Sequence, residues 1–236
     1  MERDASRDSA RHPDARVSPA MRAFIAGLRR KAANAPDDAG DWESSQIRQV
    51  SRADDLPARF AVAAEKAGAA VQRASIETAA QSVRSVIEAR VAQRIHVPPC
   101  DDGVLAGTLR KRVLAALSQM PVLVSCDNAD AALFVADASV TGASAAIAET
   151  GTMVCTTAGG QTRGSTLYAP VHIVLLGRSQ IMPDLCDYFD EACTRGELPS
   201  NVNLITGPSK TADIEGVLVV GVHGPGALHI VIVDDL

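Results

Sequence analysis

Apolar residues in this chain recur with two periods, and the switches between them mark a succession of helices and strands. In residues 18–31, Met21, Phe24, Ile25 and Leu28 fall on one side of a helix opened by Ser18 as N-cap and Pro19 at the first helical position. Residues 1–17 are polar, mixed in charge and expected to be loosely held. Asn34 to Gly40 breaks the helical pattern, and 41–52, with the lone Trp42, reads as an irregular linker. Residues 1–50 are therefore expected to form a flexible, partly helical arm and residues 51–236 a domain. In the domain, helical patterns at 54–67, 75–92, 103–118 and 181–193 alternate with strand patterns at 69–73, 94–97, 122–125, 171–176, 202–205 and 227–233. The 181–193 helix carries Pro183 early and Gly196 just past its end. From 132 to 156 the pattern becomes strand-like, in the runs 132–136, 136–140 and 147–155. Strands and helices in this alternation predict βαβ units and an α/β fold.

Composition narrows this. The chain has 236 residues, 47% hydrophobic but only 3% aromatic, so Ala, Val, Ile and Leu fill the core, as in helices packed on a mostly parallel sheet. A net charge of −5 and so few stacking rings argue against a nucleic-acid partner. The five cysteines, Cys100, Cys126, Cys155, Cys186 and Cys193, show no CxxC spacing and are odd in number. That predicts reduced thiols and no iron–sulfur cluster, structural zinc or disulfide framework held by this chain. Cys186 and Cys193 share one face of the 181–193 helix and read as core residues. No two of the five histidines, His12, His96, His172, His223 and His229, have metal-ligand spacing. The polar first ten residues and the lack of an apolar run near 18 residues predict a cytoplasmic protein without a membrane span.

Chemistry concentrates in three segments. In Gly207-Pro208-Ser209-Lys210-Thr211-Ala212-Asp213-Ile214-Glu215, turn formers are mixed with hydroxyls, a cation and two carboxylates. It follows a predicted strand, and open α/β sheets bind ligands beyond the carboxyl ends of strands. Ser209, Lys210 and Thr211 suit an anion, with Lys210 supplying charge; Asp213 and Glu215 share a face if the segment is a strand. The competing reading is a capped turn with a solvated lysine. In Ala148-Glu149-Thr150-Gly151-Thr152, Glu149 reads as a general base, a nucleophile or an orienter of a ligand hydroxyl, or else as a turn residue at a strand boundary. In His223-Gly224-Pro225, the imidazole is placed to donate to a ligand or move a proton, or to close a tight turn. His172, between apolar residues, reads as a satisfied core histidine, and His229 likewise.

On these motifs the sequence resembles the lactate utilization protein C family, whose members carry the LUD domain. The matching segments are Thr141-Gly142-Ala143, Ile147 to Thr152, Pro170-Val-His-Ile-Val, Ser179 to Asp184, Gly207 to Glu215 and Gly221 to Pro225. The resemblance implies a three-layer sheet with helices on both faces, similar to the ribose-5-phosphate isomerase and CoA-transferase fold group. It also implies a part in oxidising L-lactate to pyruvate, beside iron–sulfur partner proteins that hold the redox centres. In that reading the chain is a non-redox, accessory component that binds a small anionic ligand through Thr150, Gly151, Thr152, Ser209, Lys210, Thr211 and Asp213. Glu149 and His223 stand at the catalytic or orienting positions, and a homo-oligomer is possible. The alternative is a stand-alone enzyme of the same fold group acting on a sugar phosphate or CoA thioester, with Glu149 as nucleophile or base. A third reading is a scaffold that docks its partners through Met21, Phe24, Ile25 and Leu28. Two positions depart from the family pattern: lysine at 210 where arginine is frequent, and Gly226 where a basic residue is. Arg163 is the candidate to restore that charge.

Overall fold

A computed structural model describes residues 48–100, 105, 107–157, 160–195, 199–214 and 217–236, for residues 193, 195, 213 and 214 the backbone only. The expected 18–31 helix and Trp42 lie outside these residues, as do Glu215 and the side chain of Asp213. Residues 48–236 form one compact unit.

The unit begins with α1 (Leu56–Ala67) and β1 (Ala70–Ala74). Asp55 caps α1 by accepting from the Ala58 N–H, Pro57 stands in the first turn, and Gly68 closes the helix in the left-handed conformation. Then come α2 (Ala79–Ala89), β2 (Arg94–His96), α3 (Gly107–Ser118) and β3 (Leu123–Ser125). Both helices bury a stripe at helical spacing, Ala79, Ala80, Val83, Val86 and Ile87 on α2, and Leu109, Val113 and Leu117 on α3. The next elements are α4 (Asp130–Phe134), β4 (Ala138–Gly142), β5 (Ala145–Ile147), β6 (Thr152–Thr156), β7 (Val171–Gly177) and β8 (Ile181–Met182). The chain continues with α5 (Leu185–Arg195), β9 (Val202–Ile205), β10 (Lys210–Ile214), β11 (Val217–Val220) and β12 (Ala227–Val233).

Six strands form the central sheet in the order β1-β12-β7-β4-β2-β3, every neighbouring pair parallel. Side chains alternate between its faces. One set, including Ala138, Val140, Ile173, Leu175 and Val231, packs with α2 and α3. The other, including Val174, Leu176, Ile230 and Ile232, packs with Phe60 and Ala64 of α1 and with Ala146 and Met153 of a second sheet. That second sheet has the order β8-β5-β6-β9 and is largely antiparallel. The α/β fold with a mostly parallel sheet is thus as expected; among the described residues, α1 and the small sheet cover its second face. β10 and β11 form a separate antiparallel hairpin.

Three local expectations are corrected. Residues 181–193 are not one helix: Ile181 and Met182 are a strand of the small sheet, and α5 starts only after Asp184, whose carboxylate caps it by accepting from the Asp187 N–H at 2.9 Å. Residues 132–136 lie largely in α4; the Asp127 carboxylate accepts from the Ala129 N–H just before it, and of its apolar residues Leu133 is buried while Phe134 is exposed. Cys186 is not a core residue but exposed.

Candidate functional site

The segment from Thr206 to Ser209 leaves the small sheet at the end of β9 and turns toward the hairpin. Gly207 makes this possible. Its φ is +75°, and a Cβ there would run into the Ala67 carbonyl at the end of α1. The Ser209 N–H donates to the Pro225 carbonyl, and the Ser209 carbonyl accepts from the Gly221 N–H, both at 2.9 Å. These two bonds bind the 206–209 segment to the 221–226 turn. Between them lies a cavity of about 390 Å³, at the lower end of the roughly 300–1,000 Å³ usual for small-molecule sites. Ser209, Lys210 and His223 border it, with Thr206 and Thr166 adding hydroxyls. Leu204 and Leu228 supply apolar wall.

Beneath the cavity is the central sheet. His172 and Leu228 are register partners on β7 and β12 and both border the space, whereas their neighbours Val171 and Ala227, which face the other way, do not. Both partners are second residues of their strands, so the cavity lies at the amino ends of β7 and β12. The carboxyl-end rule for open α/β sheets does not apply here, because β9, the strand that leads into the Gly207 turn, belongs to the small sheet.

His172 is fully buried. Its Nε2 lies 2.8 Å from the Thr141 hydroxyl, while Nδ1 has no hydrogen-bond partner. Burial pushes the imidazole down to about 3, so it is neutral at any physiological pH. It is therefore only half satisfied, unlike the core histidine expected from the sequence. The signal that could have found it was periodicity: His172 shares a face with Val174 and Leu176, so a polar ring stands in an inner row. His229, half-buried, accepts from the Arg90 guanidinium at 3.2 Å.

Lys210 reaches the end of α1, where its ammonium donates to the Ala67 carbonyl at 2.7 Å. A cation is favoured at a helix carboxyl end, and two of its N–H donors remain. Thr211, half-buried, pairs with Val219 in the hairpin and does not border the cavity; the backbone of Asp213 continues the same strand.

The Glu149 segment is the turn between β5 and β6. The Glu149 N–H donates to the Pro183 carbonyl, and its half-buried side chain is not part of the cavity wall. Gly151, at φ +66°, lies so close to α1 that a Cβ would strike the backbone of Ala63 and Ala64. A chain of hydroxyls does connect this turn to the cavity: Thr150 to Thr152 at 2.6 Å, then Thr152 to Thr206 at 2.7 Å. Arg163 is exposed and not in the wall. Of the expected site residues, the fold brings Ser209, Lys210 and His223 together, links Thr150 and Thr152 to them indirectly, and keeps Glu149, Gly151 and Thr211 out of the wall.

The remaining motifs hold the frame. The Gln180 side chain accepts from the Gly177 N–H and donates to the Ala143 carbonyl, and Gln161 makes a two-bonded amide pair with the backbone of Gly142. Among the described residues no His, Cys, Asp and Glu cluster suits a metal ion, and no helix is long and apolar enough to cross a membrane.

The sequence profile of the LUD domain family matches residues 57–233, and the chain belongs to that family. Among curated relatives, lactate utilization protein C of Shouchella clausii is 36% identical over 104 residues, which cover 43% of this chain and 45% of that protein. The Exiguobacterium protein of the same name is 40% identical over 105 residues, covering 43% and 46%. The matches thus span less than half the length of these relatives. A DUF162 family protein from Deinococcus radiodurans has a similar fold, with a TM-score of 0.54 at 24% identity over 75% of this chain and 96% of that one.

Proposed function

We propose that this LUD-domain chain is a cytoplasmic component of a lactate utilization system and that it binds a small anionic ligand in the cavity between the 206–209 segment and the 221–226 turn. In this reading it works beside iron–sulfur proteins that oxidise L-lactate to pyruvate, and the electrons pass through their clusters. The place in lactate metabolism is supported by the names of the relatives. The ligand reading is carried by one observation: the adjacent Ser209 and Lys210 and, from beyond the hairpin, His223 border one cavity of small-molecule size. Lys210 and the Ser209 hydroxyl would meet a carboxylate or phosphate, and His223 would orient it.

Thermal unfolding against L-lactate, pyruvate, sugar phosphates and acyl-CoA tests this. A ligand at about 100 times its dissociation constant adds roughly 2.7 kcal/mol. The shift should appear with at least one anion and shrink in Ser209→Ala and Lys210→Ala, each measured against its own ligand-free baseline because Lys210 also holds the end of α1. The absence of a shift with every anion refutes ligand binding. Lactate-dependent reduction of an acceptor by the purified chain alone refutes the accessory role. The rival, a sugar-phosphate or CoA-thioester enzyme working through Glu149, predicts that Glu149→Gln abolishes turnover, and the position of Glu149 outside the cavity wall does not favour it.

A further inference from the structure

His172 borders the cavity, and behind it, outside the cavity wall, Ser139 and His96 extend a row of buried polar groups into the protein. His172 on β7 is in register with Ser139 on β4, and Ser139 with His96 on β2. All three sit on the same sheet face, are at most 1% exposed, and carry a polar atom with no hydrogen-bond partner: Nδ1 of both histidines and the Ser139 hydroxyl. The next inward-facing positions on β7 and β12, Val174, Leu176, Ile230 and Ile232, are apolar and close-packed. Three unmet polar atoms side by side cost stability, of order 1–3 kcal/mol each in a sealed core. The short turn at Gly164–Thr166 flanks the row. Ser165 lies 3.1 Å from His96 Nε2 and 3.0 Å from the Thr162 hydroxyl, while Thr166 borders the cavity.

We infer that this row is the inner subsite of the ligand cavity, and that His172 and Ser139 hydrogen-bond an uncharged hydroxyl or carbonyl group of the ligand while its anionic group stays at Ser209 and Lys210. The inference rests on the proposed anion site and adds what the rest of the ligand must be. The row carries no formal charge: burial lowers the affinity of both His172 and His96 for a proton, the latter against a weaker pull from Asp127. A neutral imidazole and a serine can each donate one hydrogen bond and accept others, which matches an alcohol or a ketone and not a second anion. The ligand class is a hydroxy- or oxo-substituted carboxylate or phosphate ester. A site built to bond a hydroxyl also discriminates sharply against the analogue lacking it, since its own buried groups are then left unmet.

Two probe pairs isolate that preference: L-lactate against propionate, and glycerol 3-phosphate against n-propyl phosphate. Titration calorimetry on the full chain should show the hydroxylated member binding at least about tenfold tighter in one pair. In Ser139→Ala and His172→Leu that ratio should fall to about twofold or less, with affinity for the deoxy member unchanged. Lys210→Ala should weaken both members equally. Should His172→Leu fail to fold, Ser139→Ala, which deletes one oxygen atom, decides alone. A tenfold preference that survives in Ser139→Ala and the His172 variant overturns the subsite. Equal binding of both members to the wild type also overturns it and leaves the anion site standing. If none of the four probes binds, the subsite falls, and the anion site falls with it when pyruvate, sugar phosphates and acyl-CoA also give no thermal shift.

Discussion

Gly151 and Gly207 stand in motifs that read as ligand loops, yet each is demanded by a backbone approach to α1. Both have positive φ and no room for a methyl group against α1. Gly151→Ala should therefore cost about 2–4 kcal/mol in urea unfolding, more than an ordinary surface change. His172 makes a different demand. Below about pH 6.5 the unfolded chain takes up a proton that the folded chain, with this ring near 3, refuses. Stability is thus complete above 6.5 and falls as the pH drops toward 3, by up to about 1.4 kcal/mol per unit. Between pH 7 and 5, His172→Asn should lose about 2 kcal/mol less than the wild type. The cysteines give a third test. Burial pushes the Cys155 thiol up to about 12, while Cys126 and Cys186 are exposed. Mass spectrometry after a brief alkylation should find the last two modified and Cys155 untouched until the protein unfolds. Ser209, Lys210 and His223 were legible in sequence because reactive groups crowd a turn. For His172 the alternation showed only a polar ring in an inner row; its unmet nitrogen and its place at the cavity depend on Thr141, Ser139 and Leu228, which other strands supply.

Helices with a cap and a full stripe were readable from the chain. α1 has Asp55, Pro57 and Gly68 at its ends, and α2 and α3 bury residues at regular helical intervals. α4 is five residues long, too short for a period to show. The expected 181–193 helix merged two elements because Ile181, Met182 and Leu185 fit a helical stripe. In the fold the first two serve the small sheet, and the boundary is set by Asp184, which is 3% exposed, caps α5 and lies 3.4 Å from Arg48. Asp184→Ala should lower stability by about 1–2 kcal/mol from the cap alone, read as a lower urea midpoint at unchanged slope. Asp184→Asn, which can still accept from the Asp187 N–H, should recover most of it.

At the scale of the molecule, alternation along the chain announced βαβ units but not their arrangement. Strand order depends on which strands meet across the sheet, and here the first partner of β1 is β12, more than 150 residues later. The small sheet was also hidden, since its strands of two to five residues carry little pattern of their own. β12 lies between β1 and β7 and bonds to both. During synthesis, the ribosome therefore releases every other strand of the sheet before the one that joins β1 to the rest. Until Ala227–Val233 has left the exit tunnel, β1 and β7 present unpaired edges, and Val174 and Leu176 lack their neighbour. The nascent chain is for that interval a natural client for chaperones that hold exposed strands.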